Sequence, residues 1–411
     1  MIERLQVSYV RNISALNMQA AACNVIIGAN GSGKTSLLEA IFLLSRGKSF
    51  RHHQPKRYIQ HAQAAATVHA RLSSGTTLAI QKQADATTIL RLNQSTVYNQ
   101  SILTEQLPTL LIDPSTMDML EQGSAGRRQL LDWLVFHMKQ GFHPQWVAYQ
   151  RLLKQRNSLL KQSRNLSAVQ LSELRSWDKG LASHAALIHH YRQHVFTAWQ
   201  PYFAASIAQL LPAYTPHLSL SYHAGYDTDS ALDVQLNERL EQDMQLGYTR
   251  IGSHRADMHV HWRADRVLQN RSENHLEHLH PSPNKASILK EQAANVLSRG
   301  EKKLLITALR ASQLPLLLNT EPHHHLSTAH HYISTDNPST YNESIATPIV
   351  LLDDITAELD ARAIDILLAT LARLPCQVFM SSLTADILPL IHKYWSDPKV
   401  FHMKQGELLP Y

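Results

Sequence analysis

Short apolar runs alternate with longer amphipathic stretches along this 411-residue chain. Residues 24–27 and 348–352 are apolar runs, and residues 377–382 are a further strand candidate. A run such as 348–352 is typical of a parallel sheet that is buried on both faces. Residues 36–45 instead follow the period of a helix and place large apolar side chains on one stripe: Leu37, Leu38, Ile41, Phe42 and Leu44. The pattern therefore predicts an α/β fold.

The middle of the chain, residues 123–247, has a helical pattern rich in Gln, His, Leu and Arg. This stretch is too short for a long heptad coiled coil, and it is interrupted by Pro201, Pro212 and Pro216. We expect a compact, mainly helical lobe with a strand near residues 218–223.

Residues 151–164 of this lobe carry five basic residues and no acidic one. Two interpretations stay open: an ordinary solvent-exposed helix face, or a stripe that contacts DNA phosphates through Lys154 and Lys161. Arg156 points towards the apolar face of the same helix, so we expect it to be buried in hydrogen bonds or at a domain interface. Arg127 and Arg128 also fit either a structural or a DNA-contacting role.

A glycine-rich loop directly follows the run at 24–27 and opens the helix at 36–45. Its G-x-x-x-x-G-K-T pattern is typical of a loop whose backbone N–H groups surround a polyphosphate. A lysine then supplies a positive charge, a threonine hydroxyl binds Mg²⁺, and the helix dipole favours the same phosphates. The predicted nucleotide-binding residues are Gly28, Ala29, Asn30, Gly31, Ser32, Gly33, Lys34, Thr35 and Ser36.

Two carboxylates, Asp353 and Asp354, directly follow the apolar run at 348–352. Most of the chain separates them from the loop. Ligands of α/β sheets bind at the carboxyl ends of the strands. We therefore expect Asp353 to bind Mg²⁺ with Thr35, and Asp354 to polarise the attacking water. Because so much chain separates the two motifs, a large insertion must divide the nucleotide-binding domain.

A third motif, Leu297-Ser298-Arg299-Gly300, precedes a helix that runs through Leu309. Ser298 with Glu301 forms a capping box, which explains both residues without a ligand. Gly300 is unfavourable in a first helical turn by about 1 kcal/mol. A glycine there favours a phosphate clamp, formed by the serine hydroxyl and bare N–H groups.

The net charge of +6 and the pI near 9.2 permit nucleic-acid binding only if the basic residues cluster. Two cysteines, Cys23 and Cys376, cannot form a disulfide framework and are expected to be small buried side chains. Without a signal peptide or an apolar span, the chain is expected to be cytoplasmic and free of membrane. The His-rich residues 270–285 and 319–344 favour solvent loops over a zinc or nickel site.

The order of these motifs resembles the ABC-type ATPase head family of the SMC proteins, the coiled-coil break-repair ATPases and RecF. Residues 357–360, Ala-Glu-Leu-Asp, look like the D-loop of that family, which adds Asp360 to the nucleotide site. Further segments along most of the chain are similar to RecF in particular: residues 49–51, 126–132, 155–161, 177–178, 247–249 and 252–257.

The resemblance implies an ABC-type head with a mixed sheet, formed by residues 1–120 and 248–411, and a helical lobe at 121–247. It implies that ATP and Mg²⁺ lie between the loop and Asp353 of one subunit and Ser298, Arg299 and Gly300 of another, so that ATP closes a homodimer. Lys34, Ser298 and Asp354 would then carry out slow, DNA-stimulated hydrolysis. By the same resemblance the protein prefers duplex and gapped DNA over single strands. It would act with RecO and RecR to load RecA at single-strand gaps during repair and replication restart.

Two residues depart from the family pattern. Ser253 replaces a proline in the G-P-H-R-A-D segment, and Glu301 replaces a glutamine beside the phosphate clamp. The second change leaves open an alternative function, an ATP-dependent dimerising DNA adaptor with negligible hydrolysis. A transporter ATPase fits less well, because the insertion is long and the switch histidine of transporters is missing.

Overall fold

The chain folds into two units, and the first is discontinuous in sequence. In the computed structural model, the described residues are 1–52, 54–113, 120, 123–162, 166–264, 289–319 and 346–411. Unit 1 comprises Met1–Ser115 and Leu314–Tyr411, and unit 2 comprises Thr116–Gln313. Most of each His-rich stretch lies outside the described residues, at 265–288 and 320–345.

One sheet of unit 1 is antiparallel and is built from a continuous part of the chain. Its order is β2-β1-β4-β5-β6-β7. Buried and less buried positions alternate along β4, as expected for a sheet with one face in the core. Its strands are β1 (Ile2–Val10), β2 (Ile13–Gln19), β4 (Ala65–Leu72), β5 (Thr77–Gln83), β6 (Thr88–Leu92) and β7 (Ser95–Val97).

The other sheet of unit 1 is mixed and draws strands from both ends of the chain. Its order is β15-β14-β3-β13-β12-β8, and all neighbours are parallel except the pair β14–β15. Every residue of β3, β8, β12 and β13 is buried, which confirms the expected two-faced burial. Its strands are β3 (Cys23–Ile27), β8 (Thr109–Ile112), β12 (Ile349–Leu352), β13 (Gln377–Ser382), β14 (Lys399–Lys404) and β15 (Glu407–Pro410).

Helix α1 (Lys34–Arg46) contacts strands of both sheets, so the two sheets share one hydrophobic core. Cys23 and Cys376 are free and buried, as expected. The remaining helices of unit 1 are α2 (Gln100–Gln106), α11 (Ile355–Glu358), α12 (Ala361–Ala372) and α13 (Leu388–Tyr394), and α10 (Gln313–Asn319) begins at the last residue of unit 2.

Unit 2 is mainly helical, with a small antiparallel sheet of order β11-β10-β9. Its strands are β9 (Leu218–His223), β10 (Asp257–Ala264) and β11 (Leu289–Gln292). Its helices are α3 (Ser124–Met138), α4 (Phe142–Gln162), α5 (Ala168–Leu210), α6 (Leu232–Glu238), α7 (Leu240–Leu246), α8 (Ala293–Val296) and α9 (Arg299–Ala311).

The expectation that Pro201 interrupts the helical stretch is wrong. Helix α5 is 43 residues long and continues through Pro201. Proline removes one backbone hydrogen bond inside a helix. The buried side chains of Trp199 and Phe203 on either side hold the helix in place through packing, which offsets this loss.

Ion pairs between buried side chains hold the helices of unit 2 together. Arg156 is fully buried and donates to Asp178, Asp243 and Thr249, which confirms that it is not a surface cation. Arg192 on α5 makes a bidentate pair with Asp132 on α3. Removing one partner of such a pair is strongly destabilising, because the other charge stays buried.

The segment at 252–257 is held by a second set of charges. Arg127 makes a bidentate pair with Asp257, and Arg128 donates to the carbonyl of Ala256. The structure therefore gives both arginines a structural role. Burial lowers the pKa of His254 to about 4, so this imidazole is neutral between its hydrogen bonds to Tyr149 and the Thr249 carbonyl.

Candidate functional site

The glycine-rich loop lies between β3 and α1, at the carboxyl edge of the mixed sheet. Gly31 and Gly33 have φ angles of 76° and 119°, which only glycine adopts readily. A cavity opens at this loop, and its lining unites most of the loop with residues that are distant in sequence. It is lined by Asn30, Gly31, Ser32, Gly33, Lys34, Thr35, Ser36, Arg51, Asp354 and Ser381.

Lys34 is largely buried and points back into its own loop. Its Nζ donates to the carbonyls of Gly28 and Ala29 at 2.6 and 3.0 Å. Burial lowers the pKa of Lys34, while the carboxylates of Asp354 and Asp353 act in the opposite direction. Because this ammonium is already largely removed from bulk water, it can turn towards an anion in the cavity without a further loss of solvation.

Two turns outside the loop hold its backbone in shape. Asn12, in the β1–β2 turn, donates to the Gly31 carbonyl and accepts from the Ser36 hydroxyl. The N–H of Gly406, in the β14–β15 turn, donates to the Ser32 carbonyl. A Cβ at Gly406 would lie 2.1 Å from the carbonyl oxygen of Asn12, so this turn needs glycine. Sequence reasoning missed both turns, because their residues match no nucleotide motif.

Thr35 and Asp353 come together as the sequence predicts for a metal site. The Thr35 hydroxyl donates to Asp353 Oδ1 at 3.0 Å, and the Ser381 hydroxyl donates to the same oxygen at 2.8 Å. Burial raises the pKa of Asp353, the two hydroxyl bonds oppose the shift, and the neighbouring Asp113 and Asp354 add to it. A carboxylate in this environment is stabilised by a cation.

Asp354 has an unusual backbone and an oxygen without a partner. Its φ and ψ are 49° and 43°, in the left-handed region, and it occupies the N-cap position of α11 without a capping hydrogen bond from its side chain. The Asp354 N–H donates to the Ser381 hydroxyl at 2.8 Å, whereas its buried Oδ1 accepts no hydrogen bond from the described residues. This carboxylate, which lines the cavity, can accept a proton or a hydrogen bond from a bound molecule.

The donor set fits Mg²⁺ bound together with a phosphate. Mg²⁺ in proteins takes one or two side-chain oxygens and completes its shell with water and phosphate oxygens. Thr35 and Asp353 supply such oxygens at the end of a phosphate loop. Among the residues the structure describes, no group of three or more His, Cys, Asp or Glu side chains could hold a metal alone.

The Leu297–Gly300 motif lies in unit 2, whereas the phosphate loop and Asp353 lie in unit 1. Ser298 caps α9 in a capping box with Glu301, and the Tyr214 hydroxyl donates to the Glu301 carboxylate through a short hydrogen bond. That bond is the main cause of a lowered pKa at Glu301. Ser298, Arg299 and Gly300 are all exposed.

Packing does not explain the glycine in this motif. A Cβ added to Gly300 would meet no atom of the described chain within 4 Å. Asp360 is exposed and caps α12 by accepting from the Ala363 N–H at 2.8 Å. Asp360, which lies in unit 1 together with the loop, is absent from the lining of the cavity.

Arg51 and Ser381 are the cavity residues that motif reasoning did not assign. Arg51 follows the Ser49-Phe50 pair, and Ser381 lies near the end of β13. The sequence signal for Arg51 is its place in the segment 49–51, which resembles the family, and the signal for Ser381 is its place in the strand candidate 377–382.

Among the described residues, no helix is both long and apolar enough to span a membrane.

The family model described as the RecF/RecN/SMC N terminal domain matches residues 1–406. A DNA replication and repair protein RecF from Acinetobacter baumannii is 37% identical over 409 residues, covering 99% of this chain and 98% of the relative.

Solved structures show the same fold at lower identity. A structure of the recombination mediator protein RecF with ATP, in the RecFOR pathway, has a TM-score of 0.75 at 19% identity and covers 100% and 97% of the two chains. An Smc head bound to the C-winged helix domain of ScpA has a TM-score of 0.50 at 13% identity, with coverage of 100% and 96%.

Proposed function

The chain belongs to the RecF/RecN/SMC N terminal domain family, with RecF proteins as full-length relatives, and from this we propose that it is a DNA-stimulated ATPase of recombinational repair. The observation that carries the proposal is the contact between Thr35 and Asp353, 318 positions apart in sequence, at a cavity lined by Lys34 and Asp354. A phosphate loop, a metal-binding pair and a carboxylate with a free oxygen are the parts that nucleotide hydrolysis requires.

Each residue has a chemical role in this proposal. The loop N–H groups and Lys34 would bind the phosphates of ATP, while Thr35 and Asp353 would hold Mg²⁺, which would supply positive charge beside the phosphate oxygens. Asp354 orients and deprotonates the attacking water, because no described residue donates a hydrogen bond to its buried Oδ1. Asn12 and Ser381 keep the loop and the carboxylates in register.

We propose further that a second copy completes the site. Ser298, Arg299, Gly300 and Asp360 are exposed polar or glycine positions, which leaves them accessible to a second chain. The open space around Gly300 suits the approach of a phosphate borne by another subunit. ATP would then join two chains around duplex or gapped DNA, and hydrolysis would release them.

The proposed protein partners are those of the pathway in which a solved relative acts. The RecFOR pathway of the solved relative supports RecO and RecR as partners of this chain. The further step, RecA loaded at single-strand gaps, rests on the family resemblance alone. Duplex DNA is the expected ligand, since phosphates along a double strand suit the exposed lysines of α4.

The test combines hydrolysis with sedimentation. Lys34→Met should reduce phosphate release, with or without gapped DNA, to the level of a control without protein. In sedimentation, the wild type should dimerise with ATP and Mg²⁺ and stay monomeric with ADP. Unchanged hydrolysis in Lys34→Met would refute the assignment of the loop, and a monomer under both conditions would refute the shared site. Dimerisation without phosphate release would favour the adaptor.

A further inference from the structure

A buried carboxylate on α1 lies one turn beyond Thr35 and takes no part in the proposed binding of phosphate and metal or in the activation of water. Glu39 is fully buried and receives two hydrogen bonds of 2.8 Å from the guanidinium of Arg11, in the β1–β2 turn. A third nitrogen of Arg11 donates to the Arg57 carbonyl at 2.6 Å. Buried ion pairs are weak contributors to stability but impose a defined geometry.

Ser49 links this carboxylate to the backbone that follows α1. Its hydroxyl is buried and donates to Glu39 Oε1 in a short hydrogen bond. Ser49 Oγ in turn accepts the backbone N–H of Arg51 at 3.0 Å and that of His52 at 2.9 Å. The hydroxyl hydrogen of Ser49 is therefore used on Glu39, and its two acceptor positions fix the backbone at residues 51 and 52.

Phe50 is held by the same helix. Its ring meets the ring of Phe42 edge to face, with centroids 5.4 Å apart. Glu39 and Phe42 are three residues apart and so lie on one side of α1. Gly47, with a φ of 67°, reverses the chain after α1 and packs against Gln100 so closely that a Cβ would clash. Helix α1 thus holds both residues that precede Arg51.

Arg51 itself is exposed overall, but it lines the cavity at the phosphate loop. Because α1 also carries Thr35, the anchor of Arg51 and the candidate metal ligand belong to one rigid element. Fixing a long arginine side chain costs conformational entropy. A prearranged backbone reduces the part of this cost that remains when an anion binds.

We propose that Ser49, anchored by the Arg11–Glu39 ion pair, is a positioning residue that holds Arg51 against the phosphates of a nucleotide in the cavity. Arg51 touches the nucleotide, and Ser49 acts only through Arg51. The inference rests on the proposed nucleotide site and adds a cation to it that the phosphate-loop motif does not contain. A guanidinium binds phosphate oxygens through paired, charge-assisted hydrogen bonds, so the expected ligand group is a di- or triphosphate.

The test compares two buried hydroxyls on or beside the same helix. Ser49→Ala removes the link to Arg51, whereas Ser45→Ala removes a buried hydroxyl that donates to the Leu107 carbonyl and has no link to Arg51. We measure the dissociation constant of a fluorescent ATP analogue, KM and kcat for hydrolysis, and the melting temperature. Ser49→Ala should weaken nucleotide affinity or kcat about threefold to tenfold, the effect of losing one hydrogen bond, while Ser45→Ala leaves both unchanged.

A double variant separates positioning from a general loss of structure. Arg51→Ala should weaken binding or turnover at least as much as Ser49→Ala, and the double variant should be no worse than Arg51→Ala. Equal effects of Ser49→Ala and Ser45→Ala, or multiplying effects in the double variant, would overturn the proposal. Lys34→Met serves as the reference for the site, because normal nucleotide binding by this variant would refute the proposed site itself. If the wild type binds nucleotide but does not hydrolyse it, the dissociation constants alone decide the role of Ser49.

Discussion

At the scale of single residues, Asp353 lies where its own charge is disfavoured. Burial raises its pKa, and the carboxylates of Asp113 and Asp354 add to the shift. Between the ordinary aspartate pKa and the raised one, the folded protein holds a proton that the unfolded chain releases. The stability of the metal-free protein therefore falls as the pH rises through that window, and it stays lower above it.

Replacing the charge should separate stability from function. Asp353→Asn keeps acceptors for Thr35 and Ser381 but removes the repulsion, so at neutral pH the melting temperature without Mg²⁺ and nucleotide should rise by about 1–3 °C. The same variant should lose Mg²⁺-dependent ATP hydrolysis, because a neutral amide is a poor Mg²⁺ ligand.

The control for this variant is an exposed carboxylate with the opposite shift. Hydrogen bonds from Lys393 and Tyr394 lower the pKa of Asp365, so Asp365→Asn should not raise the melting temperature. A lower melting temperature in Asp353→Asn than in the wild type would contradict the account of Asp353.

At the scale of elements, the first turn of α9 combines a helix cap with a charge. Glu301 caps the helix by accepting from the Ser298 N–H at 2.7 Å, and Tyr214 holds it there. Glutamine can make the same cap. The carboxylate therefore adds a negative charge beside an exposed candidate phosphate clamp without being needed for the helix.

Removing that charge should strengthen dimer formation driven by ATP. A unit charge about 7 Å from a phosphate, at an effective dielectric constant of about 40, costs about 1 kcal/mol. Glu301→Gln should thus lower the ATP concentration that half-saturates dimerisation in sedimentation about fivefold. Glu241→Gln, at an exposed position on α7, is the matched control and should have no effect. Equal or weaker dimerisation in Glu301→Gln would argue against a phosphate at this cap.

Elements with a strong local signal could be predicted from the sequence. The apolar runs of β3 and β12 and the glycines of the loop identify one edge of a buried parallel sheet. Asn12, Gly406 and Ser381 could not be predicted, since each acts through contacts made only when distant strands pair. Pro201 shows the reverse error, because packing around Trp199 and Phe203 overrides a local helix breaker.

At the scale of the whole molecule, the basic residues of α4 divide into two groups. Lys154 and Lys161 are exposed, whereas Arg156 lies at 0% exposure between two aspartates. The net charge of +6 is therefore a poor guide to DNA contacts, because it counts buried cations such as Arg156 together with exposed ones. The lysines remain the candidates for phosphate binding.

The salt dependence of duplex binding tests these two lysines. Lys154→Ala with Lys161→Ala should weaken binding about equally for all duplex sequences and reduce the slope of log K against log salt by about 2. Replacing both by arginine preserves the charges and should preserve the slope. An unchanged slope in the alanine variant would show that DNA binds elsewhere.

The order of the mixed sheet has a consequence for synthesis of the chain. Strand β3 pairs with β13 and β14, and β8 pairs with β12, so no parallel pair can form until residue 349 is made. At about 5–20 residues per second, the finished phosphate-loop strand waits for roughly 15–70 s on the ribosome. The antiparallel sheet of residues 2–97 can form meanwhile and cover α1. A nascent chain stalled before residue 349 should therefore contain a folded first sheet but fail to bind ATP.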